Sequence, residues 1–139
     1  MTGRVFEGAD FYRVSFDGAN LSGAVFVNCF AAEASFKQAH CANLQAIKTN
    51  FYRSDFSGAE LSDALLWNCV LAGADLRGAT LRRVTITLDC NSYEELRLDR
   101  SASAELAYLF GRARTPHRKG WLDVLGEHDL ARLARVFEH

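Results

Sequence analysis

The sequence predicts an all-β solenoid followed by a C-terminal α-helical segment, and three observations support this fold class. Large apolar residues recur at every fifth position from residue 6 to residue 86. Glycine and asparagine recur two residues after many of them. After residue 88 the period of five gives way to helical spacing. The 139 residues are 49% apolar and carry a net charge of -1, which is typical of a globular chain and not of a disordered one.

The residues at these fifth positions, called central positions below, are mostly bulky: 14 of the 17 are Phe, Leu or Ile. An α-helix would rotate successive central residues by about 140°, and a strand would place them on alternate faces. Either element would expose half of the phenylalanines. A coil of short extended segments with a bend after each one keeps them inward, so the pattern predicts a solenoid over residues 4–88.

Two further positions of the five-residue unit are constrained. The residue two before each central residue, the small position, is usually Ala, and we expect it to point inward as well. The residue two after it, the bend position, is expected to need a positive φ. Six of the ten glycines and three asparagines lie there: Gly8, Gly18, Gly23, Gly58, Gly73, Gly78, Asn28, Asn43 and Asn68.

The triplets Ala9-Asp10-Phe11, Ala59-Glu60-Leu61 and Ala74-Asp75-Leu76 show the same unit, in which a small and a polar residue precede a large apolar one. In this unit the chain resembles the pentapeptide-repeat family, over about three fifths of its length. The resemblance implies a right-handed quadrilateral β-helix with four units in each coil. Seventeen units would then form about four coils, a rod roughly 20 Å long at a strand spacing of about 4.8 Å.

A longer internal repeat supports a coil of 20 residues. Residues 11–36 and 51–76 align without gaps at a separation of 40, which is two such coils. The pattern weakens once, where Leu44 takes a small position and Ala46 a central one. Leu44 can fill the volume that Ala46 leaves, so we expect a local bulge there but no break in the coil.

Residues 89–139 are predicted to form an α-helical cap or extension that packs on the rod or on a second subunit. Ser92 and Glu95 fit a capping box that begins a short helix ending near Asp99. A longer helix is expected from Ser101 to Ala113, and two more over residues 121–125 and 129–138. Part of this segment should close the last coil, whereas no comparable segment precedes the first one.

The outward residues of two neighbouring faces are unusually apolar. We call them the apolar stripe; it comprises Val25, Val27, Phe30, Ile47, Leu65, Trp67 and Val70. Monomeric proteins seldom expose contiguous apolar patches beyond a few hundred Å², so we expect the stripe to be covered. The chain's own helices or a second copy in a homodimer are the favoured covers, and a different protein is the alternative.

The sequence favours neither a metal site nor catalysis. Cys29, Cys41 and Cys69 occupy inward positions, and the first and last are two coils, or about 9.6 Å, apart, too far for a disulfide. No Cys-x-x-Cys or His-x-x-x-His spacing occurs, and no nucleophile, base and orienting group come together. We therefore expect no enzyme activity and no cofactor.

One basic cluster and the overall charge bear on partners. Arg112, Arg114, Arg118 and Lys119 could contact an anion or an acidic protein surface, although a solvated loop is the simpler interpretation. The net charge predicts no direct nucleic-acid binding. Because no apolar run approaches the ~20 residues of a membrane span, we expect a cytoplasmic protein without a membrane partner.

Two functions are compatible with the family resemblance. The favoured one is a non-enzymatic protein-interaction scaffold that self-associates through the apolar stripe or the C-terminal helices. The alternative is protection of DNA gyrase or topoisomerase IV from inhibitors, which several bacterial members of the family provide through a rod that imitates DNA. Residues 4–88 contain eight acidic and eight basic residues, and a neutral rod is a poor imitation of a polyanion.

Overall fold

The computed structural model describes residues 2–86 and 95–104, and its regular elements are five short strands. β1 spans Val5–Glu7, β2 Val25–Val27, β3 Gln45–Ile47, β4 Leu65–Trp67 and β5 Thr85–Ile86. The strands form one parallel sheet in sequence order, in which each residue pairs with the residue 20 positions later. This sheet is the first face of a solenoid with 20 residues in each coil.

Three further faces complete each coil, and isolated parallel bridges hold successive coils together there. The bridged columns are Asp10, Phe30, Asn50 and Val70 on the second face, Ser15, Ser35, Asp55 and Asp75 on the third, and Asn20, His40, Glu60 and Thr80 on the fourth. Within these columns each bridge joins residues 20 apart. The predicted quadrilateral β-helix is therefore confirmed.

The first face differs from the others in the residue that precedes its central positions. On the other faces this residue is often Asp, Asn, Ser or Glu, and its side-chain oxygen accepts the N–H two residues later. Asp10 accepts from Tyr12 at 2.9 Å, and Asn50 accepts from Tyr52 at 2.9 Å. Such local turns compete with extended backbone. On the first face the same position holds Val, Gln, Leu or Thr, and no such turn forms there in the described residues.

The interior of the solenoid is filled by the central and small positions. Every central residue from Phe16 to Leu81 is buried, so the hydrophobic core runs the length of the rod. On the third face Phe16, Phe36 and Phe56 stack with successive ring centroids 5.1 and 4.6 Å apart. Ring contacts of this kind contribute roughly 0.5–1.5 kcal/mol each beyond the burial of their area.

Positive φ occurs at every bend position from Gly3 to Arg83. Seven of these positions are glycines, with φ from 63° to 74°, and the predicted asparagines adopt 52°, 60° and 53°. Residues with a Cβ also adopt this conformation, among them Arg13, Gln38 and Arg53 at 57°, 55° and 51°. The fold therefore imposes a left-handed bend at each unit, whether or not the residue there favours one.

The predicted bulge near Leu44 does not occur. β3 pairs in unbroken register with β2 and β4, and both Leu44 and Ala46 are fully buried. The two side chains point to the same interior from positions two residues apart. Exchanging the large and the small residue therefore keeps the filled volume nearly constant, and the backbone has no reason to distort.

Residues 95–99, which follow the undescribed residues 87–94, continue the solenoid, and a helical turn follows over residues 100–104. Arg97 forms a parallel bridge with Asp75, which extends the ladder of the third face by one more rung. The Arg97 N–H donates to the Ala74 carbonyl and the Arg97 carbonyl accepts from the Leu76 N–H, both at 2.8 Å. Leu96 is buried against the core, and so is Ala102, from a helical turn over residues 100–104.

This arrangement corrects two helix predictions. Residues 95–99 are not helical, because they continue the β-helix. The following helical turn begins at residue 100 and not at Ser101, because Asp99 accepts the Ala102 N–H at 2.8 Å and so caps it. The remaining predicted helices, over 105–113, 121–125 and 129–138, lie outside the described residues.

The two-part organisation of the chain stays a prediction, since the expected boundary at residue 88 falls in the undescribed residues 87–94. Within residues 2–86 and 95–104, no helix is long and apolar enough to cross a bilayer.

Candidate interaction surface

Two columns of outward side chains run along the first face. One consists of Val5, Val25, Gln45, Leu65 and Thr85, and the other of Glu7, Val27, Ile47 and Trp67. The strands are in register, so neighbours within a column lie about 4.8 Å apart and form continuous surface. Trp67 is 42% exposed, whereas the Val, Ile and Leu residues of coils two to four are half-buried. Gln45 interrupts the first column.

The second face adds an aromatic group beside the strands. Phe30 is 43% exposed and stacks on Tyr12, with ring centroids 5.8 Å apart. Val70 lies two coils further along the same column, separated from Phe30 by Asn50. Tyr52 is also exposed and lies under the Arg53 guanidinium, 5.2 Å from its ring centroid. Polar and apolar residues therefore alternate on this face.

The structure thus places every member of the apolar stripe on the outside of two adjacent faces. Val25, Val27, Ile47 and Leu65 form a block on β2, β3 and β4, and Trp67 extends it. Phe30 and Val70 flank this block on the second face. Only the column of Val27, Ile47 and Trp67 is continuous, because Gln45 separates Val25 from Leu65 on the first face and Asn50 separates Phe30 from Val70 on the second. A contact that excludes water would therefore be centred on Ile47 and Trp67.

Half of the charged residues between residues 4 and 86 form ion pairs with one another. Arg83 and Asp63 lie 2.6 Å apart, and the Arg83 guanidinium holds the pKa of the Asp63 carboxyl below its ordinary value. Arg13 and Glu33, at 2.8 Å, form an equivalent pair elsewhere on the rod, and the Arg13 guanidinium likewise lowers the pKa of Glu33. Both pairs are exposed and contribute little to stability. Each pair places a positive charge beside a negative one, so these residues create no local excess of either charge.

Cys29, Cys41 and Cys69 are buried in the interior of the rod. Cys29 donates from its thiol to the Phe6 carbonyl of the preceding coil at 3.4 Å. Burial raises the pKa of the Cys41 thiol to about 12, so this group stays protonated and unreactive. Among residues 2–86 and 95–104, no group of His, Cys, Asp and Glu is arranged to hold a metal ion.

Sequence reasoning missed one polar cluster at the C-terminal end of the rod. Asp75 is almost fully buried and pairs with Arg77 at 2.7 Å, while Arg97 approaches the same carboxylate at 3.9 Å. The Asp99 carboxylate accepts a hydrogen bond from the N–H of Gly78, which lies in the preceding coil. The signal in the sequence is the pair of leucines at positions 96 and 98, spaced like a small and a central position but two residues out of frame. The basic cluster of Arg112, Arg114, Arg118 and Lys119 lies outside the described residues.

Comparison with known families gives one match over the rod. A model described as "Pentapeptide repeats" matches residues 2–28, 15–64 and 49–87, with eight copies of its unit. Together these matches span residues 2–87, which is more than half of the chain. No curated protein matches the chain in sequence.

Several solved structures are similar to the chain at low sequence identity. A pentapeptide repeat protein from Nostoc Pcc 7120 is 23% identical over 65% of this chain and 84% of its own, with a TM-score of 0.45. Another, Rfr23 from the cyanobacterium Cyanothece 51142, is 18% identical over 72% and 87%, with a TM-score of 0.28. Full-length QnrB1, a plasmid-mediated fluoroquinolone resistance protein, is 16% identical over 78% and 91%, with a TM-score of 0.29.

Proposed function

We propose that this chain, which belongs to the pentapeptide-repeat family, is a non-enzymatic interaction scaffold that self-associates through its apolar stripe. The observation that carries the proposal is the block of apolar side chains on β2, β3 and β4, in which Trp67, 42% exposed, is the most exposed member. An unbroken column of apolar side chains, Val27, Ile47 and Trp67, therefore crosses three adjacent strands, which is typical of a contact surface more than of wetted surface.

A second copy is the simplest partner for this block. An isologous contact places the same patch of two subunits together, so apolar area meets apolar area without a second matching sequence. Tryptophan at the centre of such a contact usually contributes strongly, because its large rigid ring loses little conformational freedom on binding. The exposed aromatic residues of the second face, Phe30 and Tyr52, would then lie at the rim.

The distribution of charge supports a scaffold over an imitation of DNA. Residues 4–88 contain equal numbers of acidic and basic residues, and Asp63, Glu33 and Asp75 each have an arginine partner within 2.8 Å. A DNA-like surface would need uncompensated negative charge along its length. Protection of a topoisomerase therefore remains the disfavoured alternative.

Substitution of Trp67 or Ile47 by Asp tests the proposal. Either change places a carboxylate at the centre of the apolar block, where a subunit contact would have to bury it without a partner. We expect the variant to keep the circular dichroism spectrum of the wild type, since both side chains point outward. We expect its molar mass in sedimentation velocity to fall by at least one subunit per particle.

The control is Gln38→Asp, which adds the same charge at an exposed bend position on another part of the rod. Asp tolerates the left-handed backbone of this site, so the control should fold and keep the mass of the wild type. A wild type of 15.5 kDa at high micromolar concentration would contradict self-association. So would an unchanged mass in the Trp67→Asp variant. A lower melting temperature without a change of mass would show instead that the chain covers its own stripe.

A further inference from the structure

Gln45 is a polar, exposed residue in the middle of the apolar block. It lies on β3, between Val25 and Leu65 in one outward column, and beside Ile47 on the same strand. A second copy that covers the block also covers this amide. Burial of an amide without a hydrogen-bond partner is strongly unfavourable. The position of Gln45 therefore restricts how a second copy can be oriented.

Two symmetric arrangements bring the first faces of two copies together, because the two-fold axis must lie in the plane between them. With the axis along the rod, the rods are parallel and each outward column faces the other column. Gln45 then lies against Ile47 of the second copy, which offers the amide no partner. With the axis along β3, the rods are antiparallel and each column faces itself. Gln45 then lies opposite Gln45 of the second copy, and the two amides can donate to each other.

The sizes of the side chains favour the antiparallel arrangement as well. The continuous column grows in size from Val27 through Ile47 to Trp67, and the other column has Val25 on β2 and the larger Leu65 on β4. In the antiparallel arrangement Trp67 lies against Val27 of the second copy, and Leu65 lies against Val25. Each large side chain meets a small one, so the spacing of the faces stays even. In the parallel arrangement Trp67 meets Leu65 at one end and the valines meet at the other, so the rods would diverge.

The second face would extend this contact. The antiparallel arrangement brings the second faces of the two copies to the same side, where Phe30 of one copy approaches Val70 of the other. The parallel arrangement would instead place the second face beside the fourth, whose outward residues include His40 and Glu60. Lys48 is exposed at the bend after β3, so its ammonium group stays in water at the edge of the contact, where salt screens it from its symmetry mate.

We propose that the second copy binds the first face with its rod antiparallel, about a two-fold axis along β3, and that Gln45 sets this register by pairing with Gln45 of the second copy. The orientation rests on the proposed function and adds its geometry. A buried asparagine in a coiled coil acts in a similar way, since it selects one alignment at a cost in stability. Gln45 is thus a residue for specificity, whereas Ile47 and Trp67 supply the apolar contact.

Oppositely charged variants of residue 45 test whether it faces itself. Gln45→Glu and Gln45→Lys each place two like charges at the axis, so we expect either variant alone to dissociate roughly tenfold more readily or worse. An equimolar mixture pairs a carboxylate with an ammonium group and should recover the wild-type mass in sedimentation equilibrium. Gln38→Glu and Gln38→Lys are the matched controls at an exposed bend away from the first face, a type of position that Glu33 and Lys48 already occupy. All four variants should keep the circular dichroism spectrum of the wild type.

A photoreactive benzoylphenylalanine in place of Trp67 reports the orientation directly, because one aromatic side chain replaces another. In the antiparallel dimer it lies against Val27 of the second copy, within the tryptic peptide 14–37. In the parallel dimer it lies against Leu65, within the peptide 54–77. We expect mass spectrometry of the cross-linked dimer to identify 14–37. Cross-linking to 54–77, or a mixture of the charged variants that stays dissociated, would overturn the orientation and leave the proposed function standing if the wild type is a dimer. A monomeric wild type would overturn both.

Discussion

At the scale of single residues, the bend positions differ in how much room they leave for a side chain. A Cβ added to Gly73 would lie 2.9 Å from Cγ of Arg53, whereas one added to Gly18 would meet nothing within 4 Å. Both glycines have positive φ, 70° and 67°, so alanine at either site costs roughly 1–2 kcal/mol of backbone strain. Only at Gly73 must a neighbouring side chain also move.

We therefore expect Gly73→Ala to lower the melting temperature more than Gly18→Ala does. The additional loss should disappear in the double variant Arg53→Gly/Gly73→Ala, because that change removes the side chain that the new Cβ meets. Thermal unfolding followed by circular dichroism measures both effects. Equal losses at Gly18 and Gly73 would show that the contact with Arg53 has no energetic consequence.

A second residue-scale prediction concerns a hydroxyl in the core. Ser54 is 1% exposed, and its Oγ has no hydrogen-bond partner in the described part of the chain. The same column holds Ala34 and Ala74 one coil on either side, both buried, so alanine fits the site. Ser54→Ala should raise the free energy of unfolding by about 1 kcal/mol, because a buried unpaired polar group costs roughly 1–3 kcal/mol.

Thr49→Val provides the comparison for this prediction. The Thr49 hydroxyl is equally buried but donates towards the Ile47 carbonyl at 3.2 Å and the Phe26 carbonyl at 3.4 Å. Removing it should destabilise the protein by about 1 kcal/mol, which is the opposite sign. Denaturant unfolding of the two variants measures both values. A loss of stability in Ser54→Ala would mean that its hydroxyl has a partner in solution.

At the scale of elements, the sequence predicts the fold of residues 4–86 well and that of residues 95–104 poorly. Within residues 4–86 every unit has five residues, so the position of each side chain follows from counting. After residue 86 the frame shifts: Arg97 pairs with Asp75 at an offset of 22, not 20. Two extra residues move Leu96 and Leu98 out of the counted frame, and the local pattern of the segment then favours a helix.

The helix boundary differs from the prediction for a related reason. Ser92 and Glu95 fit a capping box, which is a purely local pattern. The cap in the structure is Asp99, whose two carboxylate oxygens bind the Ala102 amide and, across coils, the Gly78 amide. Only the tertiary contact with Gly78 distinguishes this carboxylate from other polar residues nearby, and a single sequence does not contain that information.

The Asp75 carboxylate, which lies 2.7 Å from Arg77 and 3.9 Å from Arg97, gives a pH-dependent prediction. The Arg77 guanidinium holds the pKa of Asp75 below its ordinary value of 3.8. A carboxyl with a depressed pKa in the folded state stabilises the protein fully above the unfolded pKa, and this contribution is lost as pH falls through the folded pKa. The melting temperature should therefore fall as the pH is lowered below about 4.

Asp75→Asn should reduce this dependence, so that its melting temperature differs most from the wild type near neutral pH and approaches it in acid. The control is Asp10→Asn, which keeps an oxygen for the Tyr12 amide and removes a carboxylate without an ion pair among the described residues. Melting curves between about pH 2 and pH 7 provide the comparison. An equal slope in Asp75→Asn and the wild type would show that this carboxylate does not link folding to pH.

At the scale of the whole molecule, the candidate surface is predictable from the sequence only in part. The alternation of inward and outward positions within each unit is enough to place Ile47 and Trp67 on the same face. The same counting places Gln45 between Val25 and Leu65, and Asn50 between Phe30 and Val70, so the interruptions of the stripe could also be predicted from the sequence. How far each side chain is exposed could not, because it depends on the packing of the neighbouring coils. The partial exposure of Phe6 is visible only in the structure, since Phe6 and Phe26 occupy equivalent positions in the repeat.

The central claim is that the neutral rod is an interaction scaffold whose apolar face binds a second copy. The most direct test is the molar mass of the full chain by static light scattering, with the Trp67→Asp variant measured beside it over the same concentration series. We expect the wild type to reach at least twice 15.5 kDa at high micromolar concentration, and the variant to have a lower mass at every concentration. A mass of 15.5 kDa throughout, or identical curves for the two proteins, would contradict the claim.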